Sequence, residues 1–469
     1  MDFQPLSARG IAAVHEASLA VLARSGVRFA SPRAIELFRR NAFRVEGQDV
    51  FFAESDLRDA LEKVPRRFTI LARNPAHHLT LAPGAAALGL GRGALNMVEP
   101  DGSSRRATKE DLIAATKLCQ SLEALKHWGP LVQPADVAPA NANLWIVQAM
   151  AKYTDKPYNY SGSADIELVA LCYGTTRRAM AERTSLAESY GQATVTALSP
   201  LALTAEDCEN LIQYAECGIA FHIASMPIAG STGPCTLAGL VVLQNCENLA
   251  AIVLAQLVRP GCPVFYGSIG GQADMRSMRP VFGSAESRVI ERAGVQMAGH
   301  YGLLCRGNTG LTDSLACDFQ AGAQAMMHAL SILRHGPEFL TGCGLLGSYL
   351  GASLAKIVLD VELIEHAARL LTPLALDEES LAVEVMVEVG PAGQYADHAH
   401  TLAHCRTEFL TETSFGPGSY ECSAGERQDA AQLAHEKALA LMASYRRPPM
   451  DPGLEAEIDG YVRRHWKSS

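Results

Sequence analysis

The fold is decided by residues 220–266, AFHIASMPIAGSTGPCTLAGLVVLQNCENLAAIVLAQLVRPGCPVFY. Ala220 to Met226 reads as a short strand. A run of small residues follows, and Pro234 suits the first turn of a helix. Pro234 to Val258 is too long for a strand and reads as a helix, after which Pro263 to Tyr266 is again a strand. A strand, a crossover helix and a second strand predict parallel pairing. Thr236 to Val258 is the most apolar stretch of the chain, yet it contains Gln244, Asn245, Glu247, Asn248 and Gln256. Such groups are costly in hydrocarbon, so the expectation is a buried helix and no membrane association.

The same alternation extends in both directions. Strands are expected at Leu125–Val132, Pro157–Tyr160, Ala193–Leu198, Gly302–Arg306 and Phe339–Thr341, besides the two already quoted. Helices are expected between them, at Asn141–Lys152, Ala164–Ala181, from Thr204, at Ser284–His300 and at Phe319–Arg334. An earlier helix runs from Thr108 to Cys119, with Asp111 closing an approximate capping box. Seven strand–helix units of roughly 30–40 residues predict an α/β fold of the TIM type, a (β/α)8 barrel. The eighth strand lies either within 66–107 or beyond residue 372. The first 65 residues read as helices at Val14–Leu22, Pro32–Arg40 and Ser55–Val64. Short strands follow, with a turn at Pro100-Asp101-Gly102. Residues 376–390 and 428–466 read as added helices. The division is an N-terminal helical and β-rich elaboration (1–107), the barrel (108–415) and a C-terminal helical extension (416–469).

Composition bounds the function. The 469 residues are 48% apolar with a net charge of −10, enough for a large core and against a broad nucleic-acid surface. The N-terminus has neither the basic nor the apolar region of a secretory signal. Twelve cysteines without a C-x-x-C pair suit reduced thiols in a cytoplasm. Phosphate-loop, zincin and nucleophile-elbow motifs are absent. Gly89, Gly91 and Gly93 are spaced G-x-G-x-G, but no βαβ unit surrounds them.

Barrel enzymes carry their chemistry on the loops after the strands. After Met226, Gly230 and Ser231 offer backbone to a ligand where a helix begins. Tyr266 and Ser268 lie at the next strand end, and the Tyr266 ring is suited to a cation. Asp313 follows the Gly302–Arg306 strand, and Gln320, Gln324 and His328 share one helical face. Tyr349 is a second candidate ring. His398, His400, His404 and Cys405 have the residue types of a zinc site, but nothing fixes their geometry, so no metal is assigned.

Several segments carry a family resemblance. They are 100–112 (PDGSSRRATKEDL), 231–239 (STGPCTLAG), 243–247 (LQNCE), 259–267 (RPGCPVFYG), 312–314 (TDS), 318–322 (DFQAG), 400–402 (HTL) and 406–408 (RTE). In these the chain resembles the trimethylamine methyltransferase family, the corrinoid-dependent methylamine methyltransferases. The resemblance implies a TIM-type barrel. It also implies transfer of a methyl group from an amine to Co(I) of a corrinoid (cobalamin) carried by a separate cognate protein, and self-association into a homo-oligomer. No pyrrolysine is written, so the chain looks like the branch whose members demethylate quaternary amines such as glycine betaine. Leu315 stands where the family usually has Lys, and Gln324 where it usually has an acidic residue. A quaternary amine leaves without a proton donor, so the enzyme's task is to orient the cation and strip it of water. Tyr266, Ser268, Asp313, Gln320 and Tyr349 are the expected contacts, with Gly230 and Ser231 supplying backbone; no catalytic residue is assigned. Two other readings remain: a metal-dependent barrel hydrolase using His398, His400 and His404, and a non-catalytic binder of a small molecule or a corrinoid protein.

Overall fold

The computed structural model describes residues 3–160, 165–333, 336–410, 413–416 and 429–467. Cys422 and the expected helix ends at Ala164, Arg334 and Gln428 lie outside the described residues.

The strands close a ring. In chain order they are β1 Ala87–Leu90, β2 Leu125–His127, β3 at residues 158–159, β4 Gln192–Thr196, β5 Ala220–Ala224, β6 Val264–Gly267, β7 Cys305–Asn308 and β8 Phe339–Cys343. Seven of them form one parallel sheet in the order β4-β5-β6-β7-β8-β1-β2. Residues 158–159 join its two edges. Tyr158 bridges Trp128, just past β2, and Asn159 bridges Gln192 of β4, both in parallel. A helix follows each strand: α1 Lys109–Ser121, α2 Pro139–Tyr153, α3 Ile166–Cys172, α4 Ala205–Cys217, α5 Leu237–Val258, α6 Ala285–His300, α7 Phe319–Ile332 and α8 Leu354–Leu371. This is the TIM-type barrel.

The strand left open by the sequence is β1, inside 66–107. Its centre is Gly89, where an added Cβ would sit 2.0 Å from the His127 ring. The barrel therefore requires glycine there, and glycine erases the apolar alternation that marks a strand.

Below the barrel, the hairpin of Phe68–Ile70 and Leu79–Leu81 forms a floor. Phe68, Ile70 and Leu81 meet Ala87, Ala220, Phe265, Leu304 and Phe339 in one buried apolar cluster. Helices Ala8–Arg24, Pro32–Arg40 and Glu54–Leu61 occur where expected and pack on α5. The three-residue strands among them, Val27–Phe29, Arg44–Glu46 and Asp49–Phe51, escape a periodicity reading because they are so short. The Pro100-Asp101-Gly102 turn joins strands Asn96–Val98 and Ser104–Arg106, with Gly102 at φ +81°. The Thr108 N–H donates to Asp111 at 2.8 Å, completing the expected cap of α1. Helix Ala430–Ala443 packs on α8 and α1, and Pro452–His465 on α2 and α3. The helix expected over 376–390 is two short ones, Glu378–Leu381 and Val383–Val389, separated at Ala382 by a positive φ of 51°.

The α5 helix is long and apolar enough to span a membrane, but it is buried in the barrel wall. Its polar residues are buried with partners. Glu247 accepts from the Ser199 and Ser225 hydroxyls and from Leu201 N–H at 2.6–2.9 Å. Gln244 donates to Ser225 O and Ile269 O. Asn248 both donates to Gly267 O (3.1 Å) and accepts from Gly267 N–H (2.8 Å). One helix face thus fixes the ends of β4, β5 and β6. The eleven described cysteines are free thiols. Cys235 is exposed, and Cys317 and Cys405 are partly so.

Candidate active site

Side chains alternate along a strand, so the floor residues identify the inward phase. Ala220, Leu304 and Phe339 face the floor. Two residues further, His222, Arg306 and Thr341 point into the barrel, and Asn308 lies one step higher. From neighbouring strands come Gln192, Thr194, His127 and Asn159. All of these are buried. The interior is apolar at the bottom and polar above it.

The polar layer is hydrogen-bonded across strands. Gln192 Nε2 meets His222 Nδ1 at 2.6 Å, and His127 Nε2 donates to Leu340 O at 2.9 Å. The His127 ring stacks on Phe339, with centroids 3.9 Å apart. Burial lowers both imidazoles: His127 to about 3, and His222 well below its usual value with Arg306 and Arg92 adding to the effect. Both rings are neutral at pH 7. Arg92, in the loop after β1, donates to Asn159 Oδ1 (3.3 Å) and to Thr194 Oγ1. Arg306 donates through Nη2 to Thr341 Oγ1.

The loops after β6, β7 and β8 meet at Asp313. Its carboxylate accepts from Phe282 N–H and Gly283 N–H at 2.8 Å each, and from the Ser348 hydroxyl at 2.6 Å. Ser348 and Tyr349 both have positive φ, 54° and 75°, a conformation that bulky residues adopt only when their surroundings enforce it. The Tyr349 ring meets Phe282 edge-on at 5.0 Å, and its buried hydroxyl lies near Arg306 without completing a hydrogen bond. Gln324 accepts from the Thr312 hydroxyl (2.7 Å) and Asp313 N–H (2.9 Å), so it stiffens the same loop. Beneath it, Glu291 receives Arg288, His328 and the Asn308 N–H. Burial alone would raise the Glu291 carboxyl; Arg288 and His328 overcome that and hold it at about 2.

Of the residues expected from sequence, the structure brings Asp313 and Tyr349 together and places the others elsewhere. Tyr266 follows the inward Phe265 and points outward, where its hydroxyl donates to Asn245 Oδ1 of α5 at 3.1 Å. Ser268 is buried against α6, donating to Glu291 O at 2.8 Å. Gly230, at φ +80°, and exposed Ser231 lie on the loop after β5. Gln320 is exposed on α7. His398 caps its own helix, accepting from His400 N–H at 3.1 Å, and His400 and His404 lie ring to ring at 4.3 Å. Among the described residues, no three His, Cys, Asp or Glu side chains are arranged to hold a metal. The hydrolase reading therefore has no geometric support.

The sequence reading missed Arg92, Arg306, Asn159, Thr194 and His222. Two signals were available. Arg306 closes an expected strand, the position a barrel reserves for chemistry. Arg92 stands between Gly91 and Gly93, in a glycine run that was set aside as a dinucleotide loop.

Comparisons with known proteins agree with the barrel. The trimethylamine methyltransferase (MTTB) family model matches residues 1–469. Glycine betaine methyltransferase of Desulfitobacterium hafniense (strain Y51) is 32% identical over 464 residues, covering 97% of this chain and 95% of that one. Proline betaine:corrinoid methyltransferase of Eubacterium limosum is 28% identical over 477 residues, covering 97% and 96%. Trimethylamine methyltransferase MttB of Desulfitobacterium hafniense (strain DSM 10664 / DCB-2) is 26% identical over 454 residues, covering 96% and 91%. Among solved structures, a hydroxylamine complex of MtmB superposes with a TM-score of 0.51 at 11% identity, over 83% of this chain and 82% of that one, a likeness of fold.

Proposed function

Because the chain belongs to the trimethylamine methyltransferase family, we propose that it moves a methyl group from a quaternary amine, of the glycine betaine kind, to Co(I) of a corrinoid. That corrinoid is carried by a separate protein. The observation that supports this most is the full-length match to the family, joined to 32% identity with a glycine betaine methyltransferase.

The geometry suits such a reaction. In-line displacement at the methyl carbon breaks its C–N bond, and the electron pair stays on nitrogen. The leaving group is a neutral tertiary amine that needs no proton. The chain is asked for position and dehydration rather than for a nucleophile or a general acid. The Phe282–Tyr349 ring pair, held by Asp313, offers apolar and π surface to a trimethylammonium group. Gly230 and Ser231 stand on the rim of the mouth.

The acceptor has to enter from the same face. The loops after β4 to β8 carry exposed Leu198, Met226, Met275, Leu315 and Leu350 there, and α7 begins with exposed Phe319, an apolar rim fitted to a protein partner presenting a large ring. A reduced corrinoid and the free thiols of the described cysteines would suit a reducing cytoplasm. The test is a spectrum of reduced corrinoid protein mixed with this enzyme and glycine betaine. The expected result is loss of the Co(I) band at a rate proportional to enzyme. An unchanged band with glycine betaine, carnitine, choline, proline betaine and trimethylamine in turn refutes the proposal and favours the non-catalytic binder.

A further inference from the structure

Arg306 is 3% exposed, inside the barrel, and its charge is incompletely answered. Nη2 is bound to Thr341, but Nε and Nη1 have no hydrogen-bond partner. Among the described residues no carboxylate makes an ion pair with it. Glu291, the carboxylate that most stabilises its charge, is already committed to Arg288, His328 and Asn308. The other titratable groups facing this space, His127, His222 and Tyr349, are neutral at pH 7 and bring no negative charge; burial first raises the Tyr349 hydroxyl to about 12. A guanidinium in this position is costly to bury unless an anion joins it.

The surroundings show where that anion would sit. Arg92 is close enough that, after burial itself, repulsion from Arg306 is the main cause lowering its pKa to about 10. The buried Asn159 Nδ2 and Tyr349 hydroxyl also have no hydrogen-bond partner. These groups come from the ends of β1, β3, β7 and β8 and supply donors around one space. Nε and Nη1 of one guanidinium together make the planar fork that matches a carboxylate.

We propose that Arg306 and Arg92 form a carboxylate subsite, so that the substrate is a zwitterion bearing both a quaternary ammonium and a carboxylate. The inference rests on the methyl-transfer reading for the ammonium end of the ligand. The carboxylate lies inward on Arg306, and the N-methyl groups face the mouth beside Phe282 and Tyr349. Choline offers the arginines no negative charge and adds a third positive one. Trimethylamine leaves Arg306 as it stands.

The test is calorimetric titration of the full chain without any corrinoid protein, which separates binding from turnover. The probes are glycine betaine, choline, and tert-butylacetate, in which carbon replaces the nitrogen and nothing can be transferred. Glycine betaine is expected to bind, tert-butylacetate to compete with it, and choline to bind at least about tenfold more weakly, the loss of one charge-assisted contact. Arg306→Gln should weaken both carboxylates by about tenfold or more, and Arg306→Lys should recover part of the loss. Choline binding as tightly as glycine betaine overturns the subsite, as does a folded Arg306→Gln with unchanged affinity for both carboxylates. Absence of binding by either carboxylate does so too. If Arg306→Gln does not fold, Arg92→Gln and the wild-type comparison of tert-butylacetate with choline decide the matter. Arginine-dependent binding of glycine betaine without loss of the Co(I) band would leave the subsite intact and remove the transfer reading instead.

Discussion

Replacing Asp313 by alanine removes the acceptor for Phe282 N–H, Gly283 N–H and the Ser348 hydroxyl. A hydrogen bond to a charged group contributes about 1.5–3 kcal/mol, and each buried amide left without a partner costs about 1–3 kcal/mol. These contributions overlap, because one carboxylate serves all three donors, so the net loss is roughly 3–5 kcal/mol. At about 2.1 cal/mol/K per residue, the unfolding entropy of a chain this size is near 1 kcal/mol/K, and Tm should fall by about 3–5 °C. Differential scanning calorimetry measures this directly. Function should fail in a characteristic way. Ser348 and Tyr349 lose the anchor of their positive-φ turn, the Tyr349 ring leaves Phe282, and KM for the amine rises. Asp313→Asn separates two roles. An asparagine retains one acceptor oxygen but turns an NH2 toward a backbone N–H, so Tm still falls. Were Asp313 to hold the substrate cation directly, as the sequence suggested, the asparagine would weaken binding at unchanged Tm. An Asp313→Ala protein within about 1 kcal/mol of wild type refutes the loop-anchor argument, since a single lost bond of this type exceeds that.

Gly89→Ala places a methyl group 2.0 Å from the His127 ring, an overpacking cost of about 1–3 kcal/mol seen as a lower Tm; a His127→Ala background should recover most of it. Tyr266→Phe removes the bond to Asn245, costing about 1 kcal/mol by calorimetry, and leaves KM unchanged because the ring is outside the barrel. His127, His222 and His328 all have pKa values below that of an unfolded histidine, through burial first, with His127 at about 3 and His328 at about 4. Below pH 6.5 the unfolded chain takes up protons that the folded one refuses, so each contributes stability that is lost as pH falls from 6.5 toward its folded value, at up to about 1.4 kcal/mol per pH unit. Glu291, held at about 2, adds to the loss only below the ordinary glutamate range. Urea midpoints measured from pH 7 to pH 4 should fall throughout, and a flat profile contradicts the burial of the histidines.

The barrel was legible in the sequence because parallel strands alternate with helices, and each pattern persists for a whole element. The seven strands read from it are present. The eighth was hidden by Gly89, whose missing side chain is a packing requirement of His127. The site was harder to read for a reason that belongs to barrels. A strand buried on both faces has no polar face to mark its phase. Phe265 and Tyr266 are equally apolar in sequence, yet Phe265 lies on the floor and Tyr266 in the outer wall. Arg306 and Cys305 differ visibly, but only the floor at Leu304 shows that the arginine points inward. Asp313 was legible as a residue of the loop after β7, while its partners, 30 to 35 positions away, could be found only in three dimensions.

Gln244, Glu247 and Asn248 lie on one helix and answer groups at the ends of three successive strands. The loops after β4, β5 and β6 are therefore inherited as a block. Grafting any one of them from a relative leaves a buried carboxylate or amide facing a backbone it was not matched to. A chimera made to change the amine accepted has to exchange residues 199–201, 225 and 267–269 together with α5. The loops after β7 and β8 join this block only through Asp313 and its donors on the β6 loop, Phe282 and Gly283, so substitutions that keep those contacts remain open to separate selection.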